Sequence, residues 1–293
     1  MLIHAYLVHA LSPLHAGTGQ SVDTIDLPIA RTCSTGIPFV PGSSVKGVLR
    51  ERSRSKDEGS RCQAVFGPDH TGASEHAGAF GAADARLLAL PVRSFVGTFA
   101  WVSSPLLLTL ARRDLADAQP GVALPEVVMP AGHAARITST SRVVRERKLY
   151  LGELDLEAAA SKEVDAWARW LAPMVTPGSD AFASRFVVVD DDTMAFLLET
   201  AMQIDARVRI CHDTGTVADG ALWYEESLPP ETLLLGLAMA DRSRREAVEL
   251  SPAEVLDCAM PQPLTIQLGG KASVGRGRCR VVRIAPEGEG RAS

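Results

Sequence analysis

His15-Ala-Gly17-Thr-Gly19 opens a loop that runs on through Asp23 and Asp26-Leu-Pro28-Ile29. It closes on Ile37-Pro38-Phe-Val-Pro41-Gly42-Ser43-Ser44-Val-Lys46-Gly47-Val-Leu-Arg50. The residues before it, 2–11, are mostly apolar and read as a buried strand that Ser12-Pro13 ends. After it, Val45, Val48 and Leu49 recur at helical spacing opposite the arginines, an amphipathic helix from Ser43 to about Lys56. The loop is too rich in Gly, Pro, Ser and Thr to pack as core, so it is a place where a rigid scaffold displays chemistry. A helix start bearing Ser43, Ser44, Lys46 and Arg50 draws phosphate through its amides and dipole. Carboxylates just upstream of such a site point to phosphoryl chemistry.

Outward from this stretch the chain alternates strands and helices. Residues 85–92 read as a strand, and Ser103-Ser104-Pro105 caps a helix with Leu106, Leu107, Leu110 and Leu115 on its apolar side. Pro/Gly-punctuated strands cover 119–150, and a helix at 162–174 groups Val164, Trp167, Trp170 and Leu171. A strand at 186–190 leads to a helix at 194–202; strands at 233–239, 264–268 and 277–284 and a helix at 253–260 complete the set. Residues 57–82 read as a surface loop with a turn at Val65-Phe66-Gly67. Alternating residues from Ile204 to Ile210, the turn set Asp213-Thr-Gly215 and a return through Trp223-Tyr224-Glu225-Glu226 predict a projecting β-hairpin over about 203–228. The order predicts an α+β, ferredoxin-like core over 1–285 with the hairpin and other pieces inserted in its loops, and a frayed tail at 286–293.

Composition narrows the function. The 293 residues are 46% hydrophobic, enough for a sizeable core, and no run of about 18 apolar residues exists to span a bilayer. The N-terminus lacks a basic segment before its apolar run, so a secretory signal is not expected. Cys33, Cys62, Cys211, Cys258 and Cys279 are dispersed, which argues against a disulfide framework or thiolate zinc site and suits the cytoplasm. Net charge is −5, yet three windows (31–61, 136–148 and 271–283) carry +4, +4 and +5. Segregation of that size suits a polyanion-binding face on an acidic body, although a single basic run is also an ordinary solvated face.

The last window contains Gly269-Gly270-Lys271-Ala-Ser-Val-Gly275-Arg276-Gly277-Arg278. Its four glycines allow close backbone approach to phosphates, with N–H groups and basic side chains at hand. It is neither a Walker loop, since Arg276 and Gly277 stand where Lys and Ser/Thr belong, nor GxGxxG, since Arg280 replaces the third glycine. Asp23 and Asp26 are residue types that also serve as turn caps, and His15 reads equally as a structural histidine. Together with a phosphate site, a carboxylate and a histidine suit RNA cleavage by the strand's own 2′-hydroxyl, the carboxylate acting as base or holding a divalent ion. Trp223 and Tyr224 offer either a stacking surface or cross-strand packing. HExxH, GxSxG and kinase motifs are absent, leaving protease, α/β-hydrolase and kinase chemistry without support.

These residues resemble the RAMP superfamily of CRISPR effectors, most closely the repeated backbone subunit of type III-B (Cmr) complexes. The likeness rests on the 15–31 loop, Ile37-Pro38-x-x-Pro41-Gly42-Ser43-Ser44-x-Lys46-Gly47, Ser94-Phe-x-Gly97-x-Phe99-Ala-Trp101, Gly220-x-Leu222-Trp223-Tyr224-Glu225-Glu226 and the 269–277 loop. The resemblance implies an RNA-recognition-motif-like palm with an inserted thumb hairpin. It implies partners as well: CRISPR RNA, target RNA, further copies of the chain and other subunits of the type III-B complex. It assigns Asp26 to target cleavage with a divalent metal (Mg2+ or Mn2+), and sets His15, Tyr224, Glu225 and Glu226 beside it. Guide-backbone contacts are implied for Gly17, Gly19, Arg31, Ser43, Ser44, Lys46 and Arg50, and for Gly269, Gly270, Lys271, Gly275, Arg276 and Gly277. Two other readings stand beside it: an architectural guide-binding subunit without nuclease activity, and a free-standing phosphohydrolase.

Overall fold

The computed structural model describes residues 1–19, 25–55, 59–68, 76–245 and 248–284. The elements run β1 (Leu2–Ala10), β2 (Phe39–Val40), α1 (Gly42–Arg54), α2 (Ser60–Phe66), β3 (Phe80–Ala82), β4 (Ala85–Ser94), β5 (Thr98–Ser103) and α3 (Pro105–Ala118). They continue with β6 (Ala134–Ile137), β7 (Val144–Arg145), β8 (Lys148–Leu151), β9 (Leu154–Ala160), α4 (Lys162–Val175), β10 (Phe186–Val188) and α5 (Asp191–Thr200). The last are β11 (Gln203–Ile210), β12 (Val217–Ser227), β13 (Leu233–Ala240), α6 (Pro252–Ala259), β14 (Leu264–Gln267) and β15 (Arg278–Ile284).

The expected core is present. The path β1-α1-β4-β13-α6-β15 lays its strands in the order β15-β1-β13-β4, each antiparallel to its neighbour. That is the split βαβ, ferredoxin-like pattern. Residues 95–232 are inserted between its second and third strands. They carry the sheet onward through β5, β10, β6, β9 and β8, which meets β4 again at Ser94 and Leu151, and they include the separate β11–β12 hairpin.

Alternation along β1 decides which helices lie on which face. Tyr6 and Val8 join Val45, Leu49, Phe66, Phe80 and Leu256 in one apolar cluster under α1, α2 and α6. Ala5 and Leu7 join Leu108, Leu115, Trp167 and Leu171 in a second under α3 and α4. The starts of α3 to α6 are fixed by side-chain caps: Asp190 accepts from the Thr193 amide at 2.9 Å on α5, and Ser251 with Glu254 forms a capping box on α6. Among the described residues no helix is long and apolar enough to cross a membrane.

Three local expectations change. Within 57–82, α2 replaces the expected loop, because Cys62, Ala64, Val65 and Phe66 are buried. On α3 it is Leu107, Leu108, Ala111 and Leu115 that are buried, while Leu106 is 39% exposed. Between 119 and 133 there is no strand, and β9, for which the pattern names no element, lies between β6 and β8. Asp23, Lys56 and the 286–293 tail lie outside the described residues.

Candidate functional site

The return arm of the hairpin is the organising element. Leu27 pairs with Glu225 in a parallel bridge: the Leu27 amide donates to the Tyr224 carbonyl (3.1 Å) and the Glu226 amide to the Leu27 carbonyl (3.0 Å). The Asp26–Ile29 segment is thereby carried on the base of the hairpin, about 200 residues away in sequence, in β-sheet fashion. Asp26 is exposed, and its Oδ2 accepts the Tyr224 amide at 2.8 Å. Among the described residues its second oxygen has no partner.

His15 joins the same arm. It is buried, and its Nδ1 lies 2.7 Å from the Glu226 carbonyl oxygen. A carbonyl only accepts, so Nδ1 carries the hydrogen and Nε2 keeps its lone pair in the neutral ring. The ring is walled by backbone. A Cβ at Gly17 would stand 2.6 Å from Nε2, and one at Gly269, where φ is +70°, would stand 2.2 Å from the His15 carbonyl oxygen. Gly269 needs glycine, whereas a Cβ at Gly17 would require the imidazole to turn.

His15, Gly17, Gly269 and Gly270 line a groove of about 410 Å³ whose other wall is Pro41, Ser44, Gly47 and Val48 at the start of α1. The loop, the helix start and the glycine-rich segment therefore meet in one place. Lys46 is half-buried and, among the described residues, has no hydrogen-bond or ion-pair partner. Burial lowers its pKa from the ordinary lysine value, and the Arg50 charge adds to that. Ser43 is exposed and Ser44 half-buried. Gly42, by contrast, gives its amide to Asp84 Oδ1 at 2.8 Å, so one donor of the helix start is already used by the protein.

Several expected phosphate groups face inward instead. Arg276 is 6% exposed, its guanidinium held by Asp205 (2.6 Å) and Ser227 (2.7 Å). Arg50 donates to the carbonyls of Gly67 and Pro68, and Arg31 to Glu226, Leu198 and Gly36. In the glycine-rich loop the amides of Gly270, Gly275, Arg276 and Gly277 bond to the carbonyls of His15, Ala272, Lys271 and Pro13. Those four amides brace the loop rather than cradle an anion. Gly19 sits exposed at the loop mouth with φ +75°.

The two glutamates are buried and engaged. Glu225 accepts from Lys271 Nζ (2.8 Å), Trp223 Nε1 (2.8 Å) and Arg207 Nε (3.4 Å). Burial alone would raise its pKa, but the Lys271 and Trp223 hydrogen bonds and the Lys271 and Arg207 charges outweigh it, holding the carboxyl at about 2. Glu226 binds the Ile29 amide and Arg31. Trp223 is half-buried and its Nε1 donates to Glu225, while Tyr224 is 42% exposed. Arg207 and Asp205 were not singled out by the sequence; their only signal is the alternation that puts them on the polar face of β11.

The opposite face of the hairpin is apolar and open. Val208 stands across from Leu222, Ala206 from Tyr224 and Ile210 from Val217, and Ile204, Val208, Ile210, Val217 and Leu222 are each 46–55% exposed. Large apolar side chains left exposed together on a projecting ribbon mark a contact surface.

Among the described residues no group of three His, Cys, Asp or Glu side chains could hold a metal ion. Among the described residues Asp26 alone offers an uncommitted carboxylate oxygen in the site. This donor set fits only an ion shared with phosphate oxygens, the arrangement a Mg2+-like cation accepts with one carboxylate, water and substrate.

Residues 7–280 match the family model of the RAMP superfamily. The chain is 34% identical over 290 residues to the CRISPR system Cmr endoribonuclease Cmr4 of Pyrococcus furiosus, covering 94% of this chain and 95% of that one. It is 21% identical over 306 residues to the CRISPR system CMR subunit Cmr4 of Saccharolobus solfataricus, covering 94% of each. Its fold is similar to that of oligomeric Cmr4 from Pyrococcus furiosus, with a TM-score of 0.74, 23% identity and coverage of 96% of this chain and 98% of the other. A chain of the type III-B Cmr-beta complex bound to cognate target RNA gives a TM-score of 0.73 at 20% identity, covering 97% of each.

Proposed function

The chain belongs to the RAMP superfamily, and from that premise we propose that it is a backbone subunit of a type III-B effector, cutting target RNA that pairs with a bound CRISPR RNA. In this reading it works in the cytoplasm, stacked with further copies of itself and with other subunits along the guide. The observation that carries the cutting step is Asp26: an exposed carboxylate held on the hairpin base, with one oxygen uncommitted among the described residues. Near the same arm sits His15, its Nε2 without a partner among the described residues.

The chemistry needs a 2′-hydroxyl deprotonated and aligned against the adjacent phosphorus, with charge stabilised on the departing 5′-oxygen. Asp26 would take that proton or hold a divalent ion, and His15 and Lys46 would orient the phosphate. Asp26 would hold the Mg2+ or Mn2+ ion, which would supply positive charge to the developing oxyanion. The open apolar face of the hairpin would press on bases and break the stacked duplex at each copy, exposing one linkage per subunit.

The test is the chain reconstituted with guide and companion subunits. Target RNA should be cut at regular intervals in the presence of Mg2+ or Mn2+, and chelation should stop it. Asp26→Ala should retain guide and target while losing every cut. The absence of a three-ligand metal cluster among the described residues favours a second reading, an architectural guide-binding subunit. Cutting that continues undiminished in the Asp26→Ala complex supports that reading.

A further inference from the structure

We infer that the Glu226 carboxylate, with Arg31, is a positioning device that holds the Asp26 loop in register, and is not a group that touches RNA; this rests on the cutting role proposed for Asp26. Glu226 is 3% exposed. Its Oε2 accepts the Ile29 amide at 3.0 Å and its Oε1 accepts Arg31 Nη2 at 2.6 Å, so both oxygens are engaged. The same residue's amide holds the Leu27 carbonyl and its carbonyl fixes the His15 ring. One residue therefore grips the loop at 27 and 29, grips Arg31, and sets which nitrogen of His15 is free.

Arg31 extends the grip. Its guanidinium reaches the Leu198 carbonyl on α5 (2.9 Å) and the Gly36 carbonyl (3.1 Å) as well as Glu226. The stretch 27–31 is thus tied to the hairpin, to α5 and to its own return. Asp26 begins where that clamped stretch ends, and its carboxylate is referenced to the same arm through Tyr224. A buried carboxylate whose oxygens serve an amide and a guanidinium reaches RNA only by abandoning both, and Arg31 would lose its 2.6 Å partner. Glu225, its neighbour, points to Lys271 and Arg207 instead and does not contribute to this clamp. Misplacing a reacting group by about 1 Å can cost about 100-fold in rate, which is the scale on which such a clamp acts.

Two double variants isolate the Glu226-to-Ile29 bond without stranding a charge. Arg31→Met with Glu226→Gln keeps an acceptor for the Ile29 amide; Arg31→Met with Glu226→Met removes it. Assembled effector is assayed for guide retention, single-turnover target cutting and hydrogen exchange over 25–31. Both pairs lose the Arg31 ties, so the comparison is between them: the Gln pair should cut about 10- to 100-fold faster than the Met pair, only the Met pair should exchange faster at Ile29, and guide retention should match in the two. If both pairs lose all cutting while exchange at Ile29 in the Gln pair stays slow, Glu226 acts directly and the inference falls. It falls equally if the Met pair cuts at the unaltered rate. Undiminished cutting by Asp26→Ala would overturn the role of Asp26 instead, while slow exchange at Ile29 in the unaltered complex would still register the clamp itself.

Discussion

The carboxylate of Asp26 accepts the backbone amide of Tyr224 at 2.8 Å, tying a loop near the start of the chain to a hairpin near its end. The bond uses one oxygen, and among the described residues the other is left for a proton or an ion. It also makes the position of Asp26 a property of the hairpin base, so movement of the hairpin against bound RNA would carry the carboxylate with it.

Asp26→Asn separates charge from geometry. The amide oxygen of Asn can still accept from Tyr224, so the loop should keep its place and guide binding should be unchanged. Loss of the base or ion-holding charge should slow cutting by about 100-fold or more. Single-turnover cleavage in the assembled effector, with guide retention measured on the same sample, checks both halves.

The glycines around His15 give a second expectation. In Gly269→Ala the added Cβ meets the His15 carbonyl oxygen at 2.2 Å and φ is +70°, so overpacking and backbone strain together should cost about 2–4 kcal/mol. Gly215→Ala, at φ +67° with nothing within 4 Å, carries only the strain of about 1–2 kcal/mol. Gly17→Ala meets the imidazole edge at 2.6 Å, so it should turn the ring and slow cutting more than it unfolds the chain. Urea unfolding of the three variants should show that order, with Gly269→Ala lowest.

What the sequence disclosed follows from local physics. The amphipathic face of α1, the alternation of β11 and β12 and the Ser-Pro start of α3 are written within a few residues of each element, and they sit where the pattern places them. Glu157-Ala-Ala-Ala160 has no such mark: helix-favouring residues there are drawn into β9 by pairing with β6 and β8, a tertiary effect. The short α2 hides inside a Gly/Asp/His-rich segment because only four of its side chains carry the burial. At the site, the grouping of His15 and Asp26 with the 224–226 arm came from the family resemblance, not from any local pattern. Their division of labour was not legible. Arg276 reads as a phosphate ligand in a glycine-rich loop, and only the fold reveals Asp205 and Ser227 waiting for it.

The Glu225 latch sets a pH expectation. Its folded pKa of about 2 lies below the ordinary 4.5, so the ionised form is the one the fold favours. That stabilisation is fully present above about 4.5 and is lost as pH falls toward 2. For so buried a carboxylate the shift corresponds to up to about 3 kcal/mol. Glu225→Gln should therefore be less stable than the unaltered chain from neutral pH down to about 4.5, and the gap should shrink on further acidification. Acid titration of urea midpoints checks this.

Lys46 and Arg50 sit one turn apart on α1, and the structure separates their duties. Lys46 has no partner among the described residues, so its ammonium is available to a phosphate. Arg50 is spent on the carbonyls of Gly67 and Pro68 at the end of α2. Lys46→Met should weaken guide binding at every salt concentration and reduce the log–log salt slope by about 0.7, the value for one phosphate on a single strand, with unfolding unchanged. Arg50→Met should do the reverse: lose about 1–3 kcal/mol of stability through the freed carbonyls while leaving the salt slope in place. Fluorescence anisotropy on a labelled guide RNA between 50 and 300 mM salt, paired with urea unfolding, tests both at once (the range spans about a sixfold change in counterion activity). A steeper loss of slope in Arg50→Met than in Lys46→Met would mean that α2 yields on binding and releases Arg50 to the RNA.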